Sequence, residues 1–225
     1  KNIPALPIHI NPIKFHSWMG GDRDGNPNVT AKVTQNVLLL GQWMAADLYL
    51  RDLDILVNTL SMEKCNPTLK AVVGDVKEPY RHLLHELRER LRETQTNMGN
   101  KLKQPDRNHP DAPIRHISSL IEPLKLCYDS LIESGMNIVA NGKLLDTLRC
   151  AFTFGLNLCP LDVRQESTRH AEVFEELTQH LNMGNYAQWD EPTRQAFLIE
   201  ELQNKRPLLP NDWGPSDNVQ EVLDT

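Results

Sequence analysis

Two stretches of the chain gather residue types that can do chemistry. The first is Phe15-His-Ser-Trp-Met-Gly-Gly-Asp-Arg-Asp-Gly-Asn-Pro27. Its glycines Gly20, Gly21 and Gly25 share one short turn with Asp22, Arg23, Asp24 and Asn26, and Trp18 stands beside them. Glycine is favoured where the backbone takes a positive φ or lies close against another group. Charges on such a turn, next to an aromatic ring, suit a loop that holds a polar anion. The competing reading is a tight strand-to-helix turn whose charges face water, as short Gly/Asp/Asn clusters commonly do. The second stretch is Asp162-Val-Arg-Gln-Glu-Ser-Thr-Arg-His170. If 161–166 is a strand, Asp162, Arg164 and Glu166 share one face and Leu161 and Val163 the other. A guanidinium is a planar, charged fork suited to bidentate binding of phosphate or carboxylate. The competing reading for Arg164 is a structural ion pair, because buried charges are generally paired for solvation.

Sharper motifs fail on spacing. Asp22 to Asn26 suggests a calcium loop, but an EF-hand needs glycine at its sixth position and glutamate at its twelfth, where Val33 stands. His82, His85 and Glu86 share one helical turn, yet no third ligand follows at a metal-site spacing, so they read as a solvated face. Gly20, Gly21 and Gly25 match neither a dinucleotide fingerprint nor a phosphate loop with its lysine. Neither a G-x-S-x-G elbow nor a Cys/His pairing argues for a nucleophile.

Composition narrows the class. The 225 residues are 40% hydrophobic and 24% charged, in the range of a globular protein. A net charge of −6 provides no basic footprint for nucleic acid, so any anion site depends on local arginines and backbone donors. No apolar run reaches bilayer length. Cys65, Cys127, Cys150 and Cys159 are scattered without a C-x-x-C pair and read as reduced thiols of a cytoplasmic protein.

The elements that position these residues are mostly helices. Pro4, Pro7 and Pro12 predict an extended arm, and Ile13 to Trp18 a short strand that delivers the glycine-rich loop. A long helix follows from an Asn28 or Thr30 cap to about Leu60, with Val33, Val37, Leu40, Met44, Leu48 and Leu56 near helical spacing. Such a helix would be roughly 45 Å long and belongs in a large bundle. Asn66-Pro67 opens a short helix that Gly74 stops. Glu78 to Met98 is amphipathic, with Leu84, Leu87 and Leu91 as its buried stripe. Gly99 to Pro113 reads as a loop. Helices resume over 116–134 and over 142–154, the latter capped by Asn141 and closed by Gly155. Leu156 to Gln165 changes to strand period; Ser167, Asp190 and Ser216 cap the remaining helices.

The expected fold is therefore mainly α-helical, part of an α/β (TIM-type) barrel with large helical insertions, with only two short candidate strands. The expected organisation is a single piece of a larger catalytic domain over 1–225. It comprises an arm, strand and loop over 1–27, a helical bundle over 28–155, and a strand followed by helices over 156–225. Lys1 is not an initiator methionine and Ser216 to Thr225 read as a helix barely begun, which suggests a fragment.

The two clusters together resemble phosphoenolpyruvate carboxylase. Residues 15–27 resemble that family's F-x-S-W-M-G-G-D-R-D-G-N-P segment, and Asp162 to Ser167 its D-I/V-R-Q-E-S strand. Ala140 to Arg149 and Lys205 to Pro210 also resemble the bacterial enzymes, so the likeness covers essentially the whole chain. The resemblance implies a lyase that carboxylates phosphoenolpyruvate with bicarbonate, giving oxaloacetate and phosphate with Mg²⁺ or Mn²⁺, in a cytoplasmic enzyme that is usually a homotetramer. It implies that Arg164 contacts the substrate phosphate, that Trp18 lies beside the pocket, and that Gly20, Gly21, Asp22, Arg23, Asp24 and Asn26 form a supporting loop. The family's T-A-H-P-T-E, G-Y-S-D-S-x-K-D and F-H-G-R-G-G segments and its metal-ligating acids do not occur in these residues. No complete catalytic set is thus expected here, and the chain alone is expected to be inactive. The alternative class is a non-catalytic helical interaction or scaffold module.

Overall fold

The computed structural model describes residues 6–225 and is mainly α-helical. Pro4 of the expected arm lies outside the described residues. The chain divides into two compact units. One comprises the described residues up to Ser17 together with Asn36–Leu161; the other comprises Trp18–Gln35 and Asp162–Thr225.

The larger unit is a helical bundle. Its elements are most of α1 (Ala31–Thr59), then α2 (Pro67–Val73), α3 (Pro79–Lys103), α4 (Ser118–Glu133), α5 (Asn137–Val139) and α6 (Leu145–Phe154). The α3 stripe is as the periodicity predicts, with Leu84, Leu87 and Leu91 buried against Leu53 and Leu56 of α1 and Leu120, Leu124 and Leu131 of α4 in one core. On α1 the predicted stripe is buried at Leu56 but lies on an exposed face from Leu40 to Leu48. Leu40, Met44 and Leu48 are exposed, and Ala45, Ala46, Tyr49, Leu53 and Val57 are buried instead. Val37 to Leu40 is an unbroken apolar run, so hydrophobicity alone leaves the phase of that helix undetermined.

Helix ends follow local chemistry, with three corrections. Asn66 caps α2 by accepting from the Leu69 amide at 2.8 Å. The predicted loop from Gly99 begins later, because α3 runs on to Lys103. An added Cβ at Gly99 would stand 3.5 Å from the Trp43 ring, so the glycine gives the indole room and its modest helix cost is tolerated. Asn141 is not a cap: α5 and α6 join through a widened turn, Ala140–Leu144, with Gly142 at φ −90° and ψ −136° as the kink. Its carboxamide oxygen instead accepts from the Tyr128 hydroxyl at 2.9 Å. Gly155 closes α6 at φ +62°, a conformation that suits glycine.

The smaller unit holds α7 (Ser167–His180), α8 (Glu191–Gln203) and α9 (Asp217–Leu223). Ser167 is the first helical residue rather than the cap, a position Glu166 takes without a side-chain bond. Asp190 does cap α8, accepting from the Thr193 amide at 3.0 Å, and that hydrogen bonding holds its carboxyl below the ordinary range. Phe174, Tyr186, Trp189 and Phe197 pack ring against ring, with centroids 5.2–6.3 Å apart.

Neither candidate strand is continuous. Each is reduced to isolated parallel bridges, Ser17 with Leu161 in the larger unit and Asp22 with Arg164 in the smaller. The turn at Trp18 explains the interruption, since the Gly21 and Asp22 amides both fold back onto the Trp18 carbonyl.

A buried hydroxyl relay joins three elements of the larger unit. Ser130 Oγ of α4 accepts from the Asn66 amide at 2.9 Å and meets the Tyr80 hydroxyl at 2.8 Å. Replacing Ser130 by Ala removes that shared partner without relieving the burial, so stability is expected to fall by about 1–3 kcal/mol in urea denaturation.

Candidate functional site

The glycine-rich loop and the Asp162 segment meet in the smaller unit through their backbones. The Arg23 amide donates to the Arg164 carbonyl at 2.9 Å, and the Arg164 amide donates to the Gly21 carbonyl at 2.9 Å. This is one register of a parallel ladder, and it places Arg164 beside Trp18. The Arg164 guanidinium carbon lies 5.8 Å from the centroid of the Trp18 ring, within cation–π range. Both residues are exposed, Trp18 at 61%. Among the described residues Arg164 has no carboxylate in salt-bridge reach, so its charge is not consumed by Glu166.

Arg23 behaves in the opposite way. It is 8% exposed and turns inward. Its Nε donates to the Val29 carbonyl at 2.9 Å, one Nη to the Glu221 carbonyl at 3.4 Å, and the other pairs with Glu221 Oε1. The same carboxylate oxygen accepts from the Ala31 amide at 2.7 Å, one of the donors that the first turn of α1 leaves unpaired. Thr30 supplies a second cap there, its hydroxyl accepting from the Val33 amide at 3.3 Å.

The remaining loop residues shape the turn. Gly20 sits at φ +82° and its carbonyl accepts from the buried Thr34 hydroxyl at 2.7 Å. Gly21 is buried, and its carbonyl is one rung of the ladder. Asp22 Oδ1 accepts from the Asp24 amide at 3.4 Å and Asn26 Oδ1 from the Asn28 amide at 3.1 Å, two local turns of the side-chain-to-backbone kind. Asp24 and Asn26 are exposed. On the Arg23 side a polar cleft of about 530 Å³ is lined by Asn26, Gln165, Glu166, Arg169, Asn218 and Glu221, among others.

The structure thus brings Trp18, Gly21, Asp22, Arg23 and Arg164 together, and turns Arg23 away from the open face that Trp18 and Arg164 share. Sequence reasoning missed Thr34 and Glu221. Thr34 sits one helical turn past Thr30 with nothing to distinguish it, and Glu221 is a lone carboxylate on a short helix. His82, set aside as a metal ligand, lies 3.8 Å from Glu86 on an exposed face of α3. The four cysteines are free, and burial pushes the Cys127 thiol up to about 12.

Residues 2–225 match the family model of phosphoenolpyruvate carboxylase. The chain is 56% identical over 220 residues to the phosphoenolpyruvate carboxylase of Ectopseudomonas mendocina and 54% identical to that of Pseudomonas aeruginosa, each match covering 98% of this chain and 25% of the relative. The enzyme of that name from Salmonella arizonae is 51% identical over 222 residues, with the same coverage. This mainly helical chain, with its loop-and-arginine pair, therefore belongs to the phosphoenolpyruvate carboxylase family. It spans about a quarter of the length of the curated relatives it matches.

Gly25 lies at φ +66° with open space around it, so backbone conformation alone decides what it tolerates. Gly25→Ala is expected to lower stability by about 1 kcal/mol and Gly25→Asn by less, because asparagine visits the left-handed region more readily. Thermal denaturation of the two variants checks the order.

Proposed function

We propose that these residues serve an enzyme that converts phosphoenolpyruvate and bicarbonate into oxaloacetate and phosphate, with Arg164 binding the substrate phosphate and Trp18 walling the same pocket. The observation that carries this reading is the 5.8 Å approach of Arg164 to Trp18. An exposed guanidinium that has no carboxylate partner among the described residues keeps its charge and its donors available to a phosphate. The Trp18 ring lies within cation–π reach of the guanidinium and offers a flat apolar wall beside it.

In the reaction that the family resemblance implies, a bicarbonate oxygen attacks the phosphorus of phosphoenolpyruvate and the bond from phosphorus to the enol oxygen breaks. Carboxyphosphate and the enolate of pyruvate result; carboxyphosphate releases CO₂ and phosphate, and the enolate carbon attacks the CO₂. Arg164 acts first on binding, holding the phosphate oxygens of phosphoenolpyruvate in place for that attack. Gly20, Gly21, Asp22, Asp24 and Asn26 support this by holding the turn that presents Trp18, while the buried Arg23 anchors it from beneath. Mg²⁺ or Mn²⁺ would steady the enolate oxygen. Among the described residues no three His, Cys, Asp or Glu side chains converge to hold such an ion, so its ligands are not assigned to them.

The parallel bridges at Ser17 and Asp22 support the reading of these segments as strands of a barrel. A cytoplasmic homotetramer is the form the family reading carries with it. No helix among the described residues is long and apolar enough to cross a membrane.

In the full-length enzyme, Arg164→Ala is expected to lower kcat/KM for phosphoenolpyruvate by about a hundredfold or more, with Arg164→Lys recovering part of the loss. Unchanged kinetics would favour a scaffold role. The isolated chain is expected to form no oxaloacetate in a bicarbonate-dependent assay, and clear turnover would refute that assignment.

A further inference from the structure

Arg23 and Glu221 form a brace under the candidate pocket, and the reading above gives Glu221 no role. We propose that Glu221 is a positioning residue: acting through Arg23, it fixes the backbone register that sets where Arg164 stands. The kinetic part of this inference rests on the substrate-binding reading of Arg164; the mechanical part does not.

Three observations carry it. Glu221 Oε1 receives two donors at once, the Arg23 guanidinium and the Ala31 amide at 2.7 Å, so one carboxylate ties the loop to the start of α1. Arg23 is almost fully buried, with its Nε satisfied by the Val29 carbonyl, so its side chain has one place to go. The backbone of the same residue donates to the Arg164 carbonyl at 2.9 Å. The path from Glu221 to Arg164 is therefore two hydrogen bonds long, one through a side chain and one through an amide. A charge-assisted bond to a buried guanidinium is among the stronger polar contacts available to hold such a path.

The chemistry of the variants separates bracing from charge. Glu221→Gln keeps an acceptor oxygen for both donors, whereas Glu221→Ala leaves only the 3.4 Å bond from Arg23 to the residue 221 carbonyl. The test is backbone hydrogen exchange in the full-length enzyme, followed in peptides that cover residues 18–30 and 160–168. In Glu221→Ala the amides of Arg23 and Arg164 are expected to exchange about tenfold faster, with α3 unchanged as the control for folding, and Glu221→Gln is expected to restore most of the protection. Unaltered exchange at both amides in Glu221→Ala would overturn the brace.

Kinetics then asks whether the brace matters to substrate. KM for phosphoenolpyruvate is expected to rise by about tenfold in Glu221→Ala with kcat nearly constant, since a displaced Arg164 weakens binding before it alters chemistry. Faster exchange with an unchanged KM, in an enzyme where Arg164→Ala does raise KM, would show a stability contact and overturn the positioning role. If Arg164→Ala leaves KM untouched, the substrate-binding reading fails on its own, and the exchange measurement alone decides the brace.

Discussion

The site depends on a single reciprocal pair of backbone hydrogen bonds, from the Arg23 amide to the Arg164 carbonyl and from the Arg164 amide to the Gly21 carbonyl. One register of a parallel ladder provides little stability by itself. It is held because both sides are pinned by other means. On the loop side Gly20 bends the chain, Thr34 holds its carbonyl, and Arg23 is anchored in the interior. On the other side α7 begins at Ser167, a few residues on, and fixes the chain's exit. A slip of one residue would turn Arg164 to the opposite face and away from Trp18.

Two arginines in this small region show how context decides the use of one side chain. Arg23 is buried, shares a carboxylate with a helix terminus and bonds two carbonyls. Arg164 is exposed, lies within cation–π reach of an aromatic ring and, among the described residues, has no carboxylate in salt-bridge reach. A guanidinium gives up hydration more readily than an ammonium, and that permits both placements. Sequence alone does not rank the two for burial, and the arginine in the polar loop is the interior one.

Much of the scaffold was legible because local chemistry decides it. The caps at Asn66 and Asp190, the stop at Gly155 and the buried stripe of α3 all act within one or two turns of the chain. The phase of α1 was not, because apolar residues lie nearly all round its first half and only tertiary packing selects among them. Continuous strands were overread for a related reason. Period-two alternation records which side chains share a face, but it does not say how many backbone bonds will form. The proximity of Trp18 to Arg164 had no local signal at all and entered through family resemblance, whereas Glu221 had neither signal.

The backbone crosses between the two units three times, near residue 17, within α1, and near residue 161. Each unit is thus discontinuous along the chain, and the Asp22–Arg164 bridge closes a loop of about 140 residues. Closing so long a flexible loop costs about 4 kcal/mol of chain entropy, far more than one pair of backbone bonds returns. Prior packing of α1, α3 and α4 shortens the effective loop, since helices already in contact no longer count as free chain. That connectivity favours a leucine core that condenses before the Asp22–Arg164 register closes.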